Sequence, residues 1–491
     1  MELFATTRAG RVQGRPSSAG VAFLGIPYAA SPFGPNRMRS PRPVTAWDGT
    51  RRATAYGPTV PKGTYPPPYR PYFPEVDNPG ADCLNLNVWT PDPTAGGLPV
   101  LVWIHGGSFT NGSGSVSGYD GSAFARDGVV CVTINYRLAA EGFLYLLDGS
   151  PNLGLQDQVA ALHWVQENIA AFGGDPARVT VAGESAGAMS AVTLLSMPAT
   201  KGLFARAIAQ SGAAANTLTA EQGLLVSGHL ADALGVAPTR DAIADVPLDR
   251  LVSAASDLVT EVQTAPDPAK WGPIAASQTP FAPVIDHHVL EDAPLESLRH
   301  GVGAQVPLLI GFNRDEARLF LIAPGTWHSI DDSMLANAAS GYGLTSAQTE
   351  VYRANRSGAA AADVLSAIAT DWFFGIPVQR VAEARHGNTW VYRFDHPEPA
   401  ANGGLGACHG AEVPFVFDTI DKPDARPLIG DDPSRTVADT AHGLWVSFIS
   451  GSAPGWAPYQ ISDRTIALIA GRIEEVRDPA PDEWRVWNGI R

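Results

Sequence analysis

The strongest chemical signal in this chain is a serine between two glycines, in residues 183–187, Gly-Glu-Ser-Ala-Gly. The β-branched, apolar run at 178–182 predicts a strand before it, and the small residues from Ala186 onward predict a helix after it. A tight strand-to-helix turn needs small residues on both sides of the serine and lifts its hydroxyl above the sheet. The N-terminus of the helix would also face developing negative charge. Ser185 is therefore the candidate nucleophile. A chance glycine–serine turn would not explain both flanking elements.

A second glycine-rich loop, residues 105–109 with the sequence His-Gly-Gly-Ser-Phe, follows another apolar run. Attack on a carbonyl group creates an oxyanion, which correctly placed N–H groups stabilise. We assign these donors to the backbone of Gly107, Ser108 and Ala186. A plain glycine turn is the alternative interpretation of this loop. We interpret His105 as a residue that shapes the loop and not as the catalytic base.

A serine nucleophile needs a general base and a carboxylate that orients the base. Asp315 and Glu316 follow a predicted strand at 307–310 and are the candidate acids. After a strand–serine–helix turn of this kind, the acid and then the histidine follow the serine in the chain. The candidate bases after the acids are His328, His386, His396, His409 and His442. His409 lies in a loop after a predicted strand at 389–394, which suits a mobile imidazole. His396 lies closer to that strand and is the second choice.

Strands and helices must alternate to position these groups. Continuous apolar runs at 100–104 and 129–135 predict buried strands. Between 155 and 172, apolar residues recur every three or four positions, which predicts a helix that stops at the glycines 173–174. Another strand is predicted at 205–210. The pattern predicts an α/β fold, with a mostly parallel central sheet and helices on both faces.

The remaining length is predicted to build a pocket rather than further domains. Polar, alanine-rich stretches at about 213–305 and 333–385 predict helical insertions that cover the sheet. No flexible linker separates them, so we predict a single domain over residues 1–491, although the length alone would suggest about three domains. The proline-rich segment 61–74 is interpreted as a stiff loop at the pocket rim. A recognition segment for a proline-binding module is the alternative.

Composition excludes several classes of function. The net charge of −15 would repel phosphate backbones, so no nucleic-acid partner is expected. Contiguous apolar runs are far shorter than the roughly 20 residues that cross a bilayer, and residues 1–14 lack the features of a secretory signal. We therefore predict a soluble, cytoplasmic protein without membrane association.

The three cysteines, Cys83, Cys131 and Cys408, are widely spaced. Their number and spacing predict neither a disulfide framework nor a metal site. Cys131, within an apolar run, is expected to be a small core residue. Cys408 precedes a candidate base and leaves a reactive role open, although burial is the preferred interpretation.

The chain resembles the type-B carboxylesterase family, the cholinesterase-like branch of the α/β-hydrolases. Besides the motifs above, the matching segments follow in family order over nearly the whole length: 23–29, 82–91, 133–137, 168–176 and 210–212. The resemblance implies the α/β-hydrolase fold and a serine carboxylesterase that needs no metal or cofactor. It selects Glu316 as the acid and His409 as the base, and leaves Asp315 as the minor alternative. It also implies that Ser211, Glu184 and Glu412 form buried polar support for the triad.

Some positions depart from the family pattern. Ala317 replaces the glycine that usually follows the acid. Ala81 replaces an acidic residue, so the family's ion pair with an arginine near Arg37 is expected to be missing. The loop 61–82 contains no tryptophan that could hold a quaternary ammonium group, which disfavours choline esters. Cys83 has no upstream cysteine as partner, which fits an intracellular, bacterial-type esterase.

The sequence therefore predicts a serine carboxylesterase that hydrolyses small-molecule esters through an acyl-enzyme, as a monomer or homodimer. A non-catalytic binding protein of the same fold is the alternative from another class. The same nucleophile acting on an amide, carbamate or lactone is the closer alternative, because selectivity lies in the pocket.

Overall fold

A computed structural model describes residues 3–385 and 388–491, so His386 lies outside the described residues. Its strands are β1 (Phe4–Thr7), β2 (Gly10–Gln13), β3 (Arg15–Ser17), β4 (Gly20–Pro27), β5 (Thr50–Arg52), β6 (Asn85–Thr90), β7 (Leu98–Ile104), β8 (Val130–Ile134), β9 (Gly174–Glu184), β10 (Arg206–Gln210), β11 (Leu218–Thr219), β12 (Val284–Ile285), β13 (Leu308–Asn313), β14 (Thr389–Phe394), β15 (Thr465–Ile469) and β16 (Ile473–Arg477). Its helices are α1 (Ser122–Arg126), α2 (Ala139–Phe143), α3 (Leu153–Asn168), α4 (Ala186–Leu195), α5 (Ala220–Leu234), α6 (Arg240–Ala244), α7 (Leu248–Thr264), α8 (Pro268–Trp271), α9 (Ile274–Ser277), α10 (Pro294–Arg299), α11 (Arg318–Ile322), α12 (Asp332–Gly341), α13 (Ser346–Ala354), α14 (Ala361–Thr370), α15 (Ile376–Ala384), α16 (Val413–Val416), α17 (Arg426–Ile429), α18 (Arg435–Ser450) and α19 (Pro481–Arg485).

An eleven-stranded sheet forms the centre, in the order β16-β15-β14-β13-β10-β9-β7-β8-β6-β4-β3. The strands from β15 to β8 in this order pair in parallel. The pairings at both edges are antiparallel. The predicted α/β class is therefore confirmed. The antiparallel edges were not predicted, because strands such as β3 and the polar, exposed β16 lack a continuous apolar run.

Both faces of the sheet are buried, as the apolar runs predicted. Along β7, Val100 and Val102 pack into one core together with residues of α3 and α4. The alternate residues Leu101 and Trp103 pack into a second core together with residues of α18. Because successive side chains of a strand point to opposite faces, an unbroken apolar run is what a sheet with two covered faces requires.

The predicted helix at 155–172 is present, with somewhat different bounds. The helix α3 ends at Asn168, and a 3₁₀ turn, Ile169–Phe172, continues it. Gly173 then takes a φ of 85°, a left-handed conformation that ends many helices and suits glycine. The helical segment therefore ends at the glycine that the sequence predicted.

The two predicted insertions are largely helical. The first contains α5 to α10 and the short pair β11 and β12, and the second contains α12 to α15. Between α14 and α15 lies one π-helical turn, Asp371–Gly375. The continuous stretch Ala361–Ala384 is the one helix in the described chain that is long and apolar enough to cross a membrane. Its most apolar window is 78% buried inside the protein, which is the position of a core helix.

All three cysteines are free and buried. Cys131 is fully buried in the second core, as expected. Burial raises the pKa of the Cys408 thiol well above its usual value, which disfavours the reactive thiolate.

Candidate active site

Ser185 occupies a strained turn between β9 and α4. Its φ of 54° and ψ of −124° lie outside the common regions for a residue with a side chain. Its N–H donates to the carbonyl of Gln210 at 2.8 Å, which ties the turn to β10. A Cβ on Gly187 would lie 1.9 Å from the carbonyl oxygen of Ile104, and one on Gly183 would lie 2.4 Å from the carbonyl carbon of Gly187. The turn therefore requires both glycines.

The loop after β7 lies directly against this serine. A Cβ on Gly106 would lie 3.0 Å from the Cβ of Ser185. Gly107 and Ser108 have φ values of 111° and 55°, which turn their peptide groups away from a regular strand. Among the described residues, their N–H groups donate to no acceptor. Ala186, as the first residue of α4, also has no acceptor within its helix. Within the described chain, the N–H groups of all three predicted oxyanion donors therefore have no protein acceptor.

His105 is buried and shapes this loop. Its Nδ1 lies 2.8 Å from the carbonyl oxygen of Gly106, and its ring stacks on Tyr136 with centroids 4.6 Å apart. The Tyr136 hydroxyl donates to the carbonyl of His105 at 2.9 Å. Burial lowers the pKa of His105 to about 4, so the imidazole stays neutral. No contact joins it to a candidate acid in the part of the chain that the structure describes.

The predicted acid and base lie side by side. Nδ1 of His409 is 2.7 Å from Oε2 of Glu316, and both side chains are buried. The other oxygen of Glu316 accepts the N–H of Asn313 at 2.7 Å. The carboxylate is therefore fixed from two sides. It is placed to hold one tautomer of the imidazole, with Nδ1 protonated and Nε2 available as a base.

Three of the alternatives, Asp315, His396 and His442, have other partners, and a fourth, His328, lies away from the cavity. Asp315 lies 3.0 Å from Arg314 and 3.5 Å from Arg318 in ion pairs. His396 packs its ring against Phe415, at a centroid distance of 5.4 Å. His442 pairs with Asp127 at 2.9 Å, and His328 lies in a short 3₁₀ turn outside the cavity described below.

His409 also contacts Glu184, a contact that the sequence did not predict. Nε2 of His409 lies 3.1 Å from Oε1 of Glu184, and no hydrogen bond joins the imidazole to the Ser185 hydroxyl among the described residues. Catalytic hydrogen bonds are often loose in unliganded enzymes and tighten when substrate binds. Burial opposes the charge on His409, but Glu184 and Glu316 outweigh it and raise its pKa. For Glu184 the effect of burial is the opposite, since it raises the pKa of the carboxyl group to about 8 although the charge of His409 lowers it.

A buried polar network lies beneath the candidate triad. Glu412 is fully buried and accepts from Gln210 at 3.0 Å and from the side chain of Asn313 at 2.5 Å. Trp445 donates to Gln210 at 2.8 Å. Ser211 is fully buried at the end of β10, but its hydroxyl has no hydrogen-bond partner among the described residues.

Three members of this network, Gln210, Asn313 and Trp445, had no predicted role. Gln210 and Asn313 each stand beside predicted site residues in the sequence motifs. Their places in these motifs could have indicated that they belong to the site. Trp445 lies on α18, far along the chain, and carried no such signal.

A cavity of about 910 Å³ opens onto Ser185 and His409. Phe320 and Phe374 contact the His409 ring, at centroid distances of 5.3 and 4.8 Å. Other walls come from the loop 61–74, from α7 in the first insertion and from the π-helical turn in the second. The proline-rich loop thus lines the cavity, as the sequence indicated.

Arg37 forms an ion pair, although the family's ion pair near this residue was expected to be missing. Arg37 pairs with Glu141, at 2.8 Å from both Nε and Nη2, and both side chains are largely buried. Asp82, next to the altered position 81, pairs instead with Arg51 at 3.2 Å. Arg37 therefore has another acidic partner on α2, which no local sequence pattern indicated.

Across the described residues, no group of three His, Cys, Asp or Glu side chains is arranged to hold a metal ion. What the site contains is a serine at a strained turn, an imidazole–carboxylate pair, free N–H groups and an apolar cavity. A strand–serine–helix turn on a sheet of this topology defines an α/β-hydrolase.

Comparison with known proteins defines the family. The family model described as "Carboxylesterase family" matches residues 2–473. The para-nitrobenzyl esterase of Bacillus subtilis (strain 168) is 36% identical, with 97% of each chain covered. The phenmedipham hydrolase of Pseudarthrobacter oxydans is 34% identical, also with 97% of each chain covered. Among solved structures, the carboxylesterase EST55 of Geobacillus stearothermophilus at pH 6.2 matches with a TM-score of 0.86 and 34% identity, covering 99% of this chain and all of the other. The chain belongs to the carboxylesterase family and is a carboxylic ester hydrolase.

Proposed function

We propose that this enzyme is a serine carboxylesterase that works through an acyl-enzyme, with Ser185, His409 and Glu316 as its triad. One observation carries the proposal: Ser185 and His409 line the same cavity, and the far nitrogen of His409 lies 2.7 Å from Glu316. Nucleophile, base and orienting acid are thus available on one side of a bound ester.

In the first half of the reaction, Oγ of Ser185 attacks the carbonyl carbon and its proton passes to Nε2 of His409. The carbonyl oxygen becomes an oxyanion, which the N–H groups of Gly107, Ser108 and Ala186 stabilise. His409 then gives the proton to the leaving alcohol. In the second half, water attacks the acyl-enzyme by the same steps and releases the acid. Nε2 must turn from Glu184 toward the serine for the first transfer.

Glu184, Glu412 and Ser211 complete the proposed site as its buried polar support. We further propose that residues 1–491 act as one domain, because both insertions supply walls of the catalytic cavity. The substrate is a small-molecule ester, and no cofactor takes part. Location in the cytoplasm and a monomeric or homodimeric state stay predictions.

Replacing the nucleophile tests the proposal. Ser185→Ala is expected to reduce hydrolysis of p-nitrophenyl butyrate by at least about 10⁴-fold, since triad members act as a unit. Ser190→Ala is the matched control, because Ser190 lies on the same helix, outside the cavity, and its hydroxyl contacts Gln158. The control should keep most of its activity, with a somewhat lower Tm because the buried Gln158 loses its hydrogen-bond acceptor. Ser185→Ala should keep the wild-type melting profile. Substantial turnover by folded Ser185→Ala would contradict the proposal.

A panel of matched ester, amide, carbamate and lactone substrates separates the closer alternatives. We expect the highest kcat/KM for the ester. A higher value for another class would keep the triad and change the substrate assignment.

A further inference from the structure

Tyr65, in the proline-rich loop, extends its hydroxyl to the oxyanion loop. A Cβ on Gly107 would lie 3.0 Å from the Tyr65 hydroxyl oxygen, so the phenol oxygen lies beside the Cα of a proposed oxyanion donor, at a place that only glycine leaves open. Tyr65, Gly107 and Ser185 all line the catalytic cavity. The hydroxyl donates to no acceptor among the described residues, so its proton is available to a bound substrate.

The structure holds this side chain firmly. The N–H of Tyr65 donates to Glu75, and its carbonyl accepts from Nε of Arg70 at 2.8 Å. Its ring packs against Phe73, with centroids 5.1 Å apart. A hydrogen bond of 2.7 Å from the Asn111 side chain to the carbonyl of Gly63 ties the two loops together. An unpaired hydroxyl that is fixed in this way meets the requirement for preorganised stabilisation.

The hydroxyl is a donor and not a base. Burial raises the pKa of Tyr65, and the neighbouring carboxylates Glu75 and Glu184 raise it further. The phenol therefore keeps its proton over the whole working range of a histidine base. A protonated phenol can donate to an oxygen that gains negative charge, as tyrosine side chains can do in oxyanion holes.

From this geometry we propose that the Tyr65 hydroxyl is an additional oxyanion donor, which binds the carbonyl oxygen of the ester as it becomes negatively charged. The inference rests on the proposed function, since it takes Ser185 as the nucleophile and Gly107 as a donor. Besides the backbone donors in the loop after β7 and at the start of α4, the oxyanion would then have a side-chain donor from the loop 61–74.

Tyr65→Phe removes the hydroxyl and keeps the ring. We expect kcat for p-nitrophenyl butyrate to fall on the order of 10- to 100-fold, with KM changing less than about threefold, because the lost contact forms mainly in the transition state. Tyr56→Phe is the matched control, since that tyrosine packs against Trp89 outside the cavity, and it should keep kcat within about twofold.

Binding of an aryl trifluoromethyl ketone provides a second readout. Ser185 would add to its carbonyl and form a tetrahedral adduct with an oxyanion. The inhibition constant of Tyr65→Phe should rise by the same factor by which kcat/KM falls, which a loss of packing alone would not produce.

Two results would overturn the inference. In the first, Tyr65→Phe keeps kcat within about twofold while Tyr65→Ala loses activity, which would show that only the packing of the ring matters. In the second, the inhibition constant stays unchanged while kcat falls. Either result leaves the proposed function intact. The proposed function fails separately, if the wild type hydrolyses no ester or Ser185→Ala keeps its turnover.

Discussion

The imidazole of His409 lies between two carboxylates, with Glu316 at Nδ1 and Glu184 at Nε2. Glu316 is placed to orient the ring. Glu184 faces the nitrogen that accepts the proton of Ser185 in the proposed mechanism, so it stabilises the protonated imidazole, which cannot act as a base. Glu412, buried below, favours the same charge on His409. Glu184, the residue before the proposed nucleophile, is thus expected to set the pH at which the enzyme becomes active.

Glu184→Gln tests this effect. Burial opposes protonation of His409, and the carboxylate of Glu184 raises its pKa against that effect. Removing the carboxylate charge should therefore lower the pKa of His409, so the acidic limb of the kcat/KM profile should move to lower pH. The profile is measured with p-nitrophenyl butyrate, and Glu398→Gln, at an exposed ion pair with Arg314, serves as control. An unchanged limb, or one moved to higher pH, would contradict the assigned effect.

At the residue level, the sequence motifs predicted which side chains would lie close together better than they predicted how those side chains would be oriented. The motifs predicted that Glu316 and His409 would meet, and they lie 2.7 Å apart. They could not predict that Nε2 faces Glu184, because this depends on a rotation of the side chain. Tyr65 was noted only as one aromatic residue of a loop. Its position beside Gly107 arises from tertiary packing between two segments that share no local pattern.

The strand–turn–helix element positions the proposed nucleophile, Ser185, by close backbone contact. Gly187, on the first turn of α4, leaves no room for a methyl group beside the carbonyl of Ile104 at the end of β7. By contrast, Gly228 lies within α5 in open space, where an added methyl group would meet nothing within 4 Å and φ is not left-handed. These two helical glycines should therefore respond to alanine in opposite directions.

Gly187→Ala should destabilise the fold by several kcal/mol, since a contact of 1.9 Å forces strand and helix apart. Gly228→Ala should stabilise it by about 0.5–1 kcal/mol, because alanine favours a helix interior. Thermal unfolding measures both changes. A Gly187→Ala protein with the wild-type Tm and activity would show that the turn is not as tight as described.

The π-helical turn carries a buried carboxylate. Asp371 accepts from the Tyr352 hydroxyl. Burial raises the pKa of Asp371 to about 7. The hydrogen bond from Tyr352 and the charges of Arg356 and Arg393 oppose the shift, and Glu483 adds to it. Since the same turn lines the cavity with Phe374, the ionisation of Asp371 affects an element that shapes the pocket.

Asp371→Asn should remove a pH dependence of stability. The folded protein holds the Asp371 proton more tightly than the unfolded chain does, so stability is lost as the pH rises from about 4 toward the folded pKa of about 7. The Tm of the wild type should therefore fall relative to Asp371→Asn between about pH 4 and 7, by an amount that reflects up to a few kcal/mol. Tyr352→Phe keeps the carboxylate and should retain the dependence. Parallel Tm curves for wild type and Asp371→Asn would contradict the shifted pKa.

At the element level, apolar periodicity predicted the central strands of the sheet better than its edge strands. The buried strands β7, β8 and β9 were all predicted, because a strand that is covered on both faces has a continuous apolar run in its sequence. The exposed β16 was not, because the charges that suit a sheet edge hide the strand pattern. The π-helical turn was missed because it lies inside a stretch whose pattern is helical throughout.

On the scale of the whole molecule, one cavity collects residues from segments far apart in the chain. The loop 61–74, the helix α7 and the π-helical turn meet above the carboxyl ends of the parallel strands. Open α/β sheets bind ligands at this edge, where loops can vary without disturbing the core. The sequence predicted that the insertions at about 213–305 and 333–385 would build the pocket, with the loop 61–74 at its rim. It could not predict the pairing of Arg37 with Glu141, since the two residues lie about a hundred positions apart and share no motif.

Trapping the acyl-enzyme tests the central claim most directly. Wild-type enzyme is mixed with excess p-nitrophenyl butyrate, quenched in acid within milliseconds and digested for mass spectrometry. We predict one butyryl group per chain, on the peptide that contains Ser185, together with a burst of p-nitrophenol of the same stoichiometry. Ser185→Ala should show neither. A butyryl group on another residue, or rapid hydrolysis without any acylated peptide, would contradict the account.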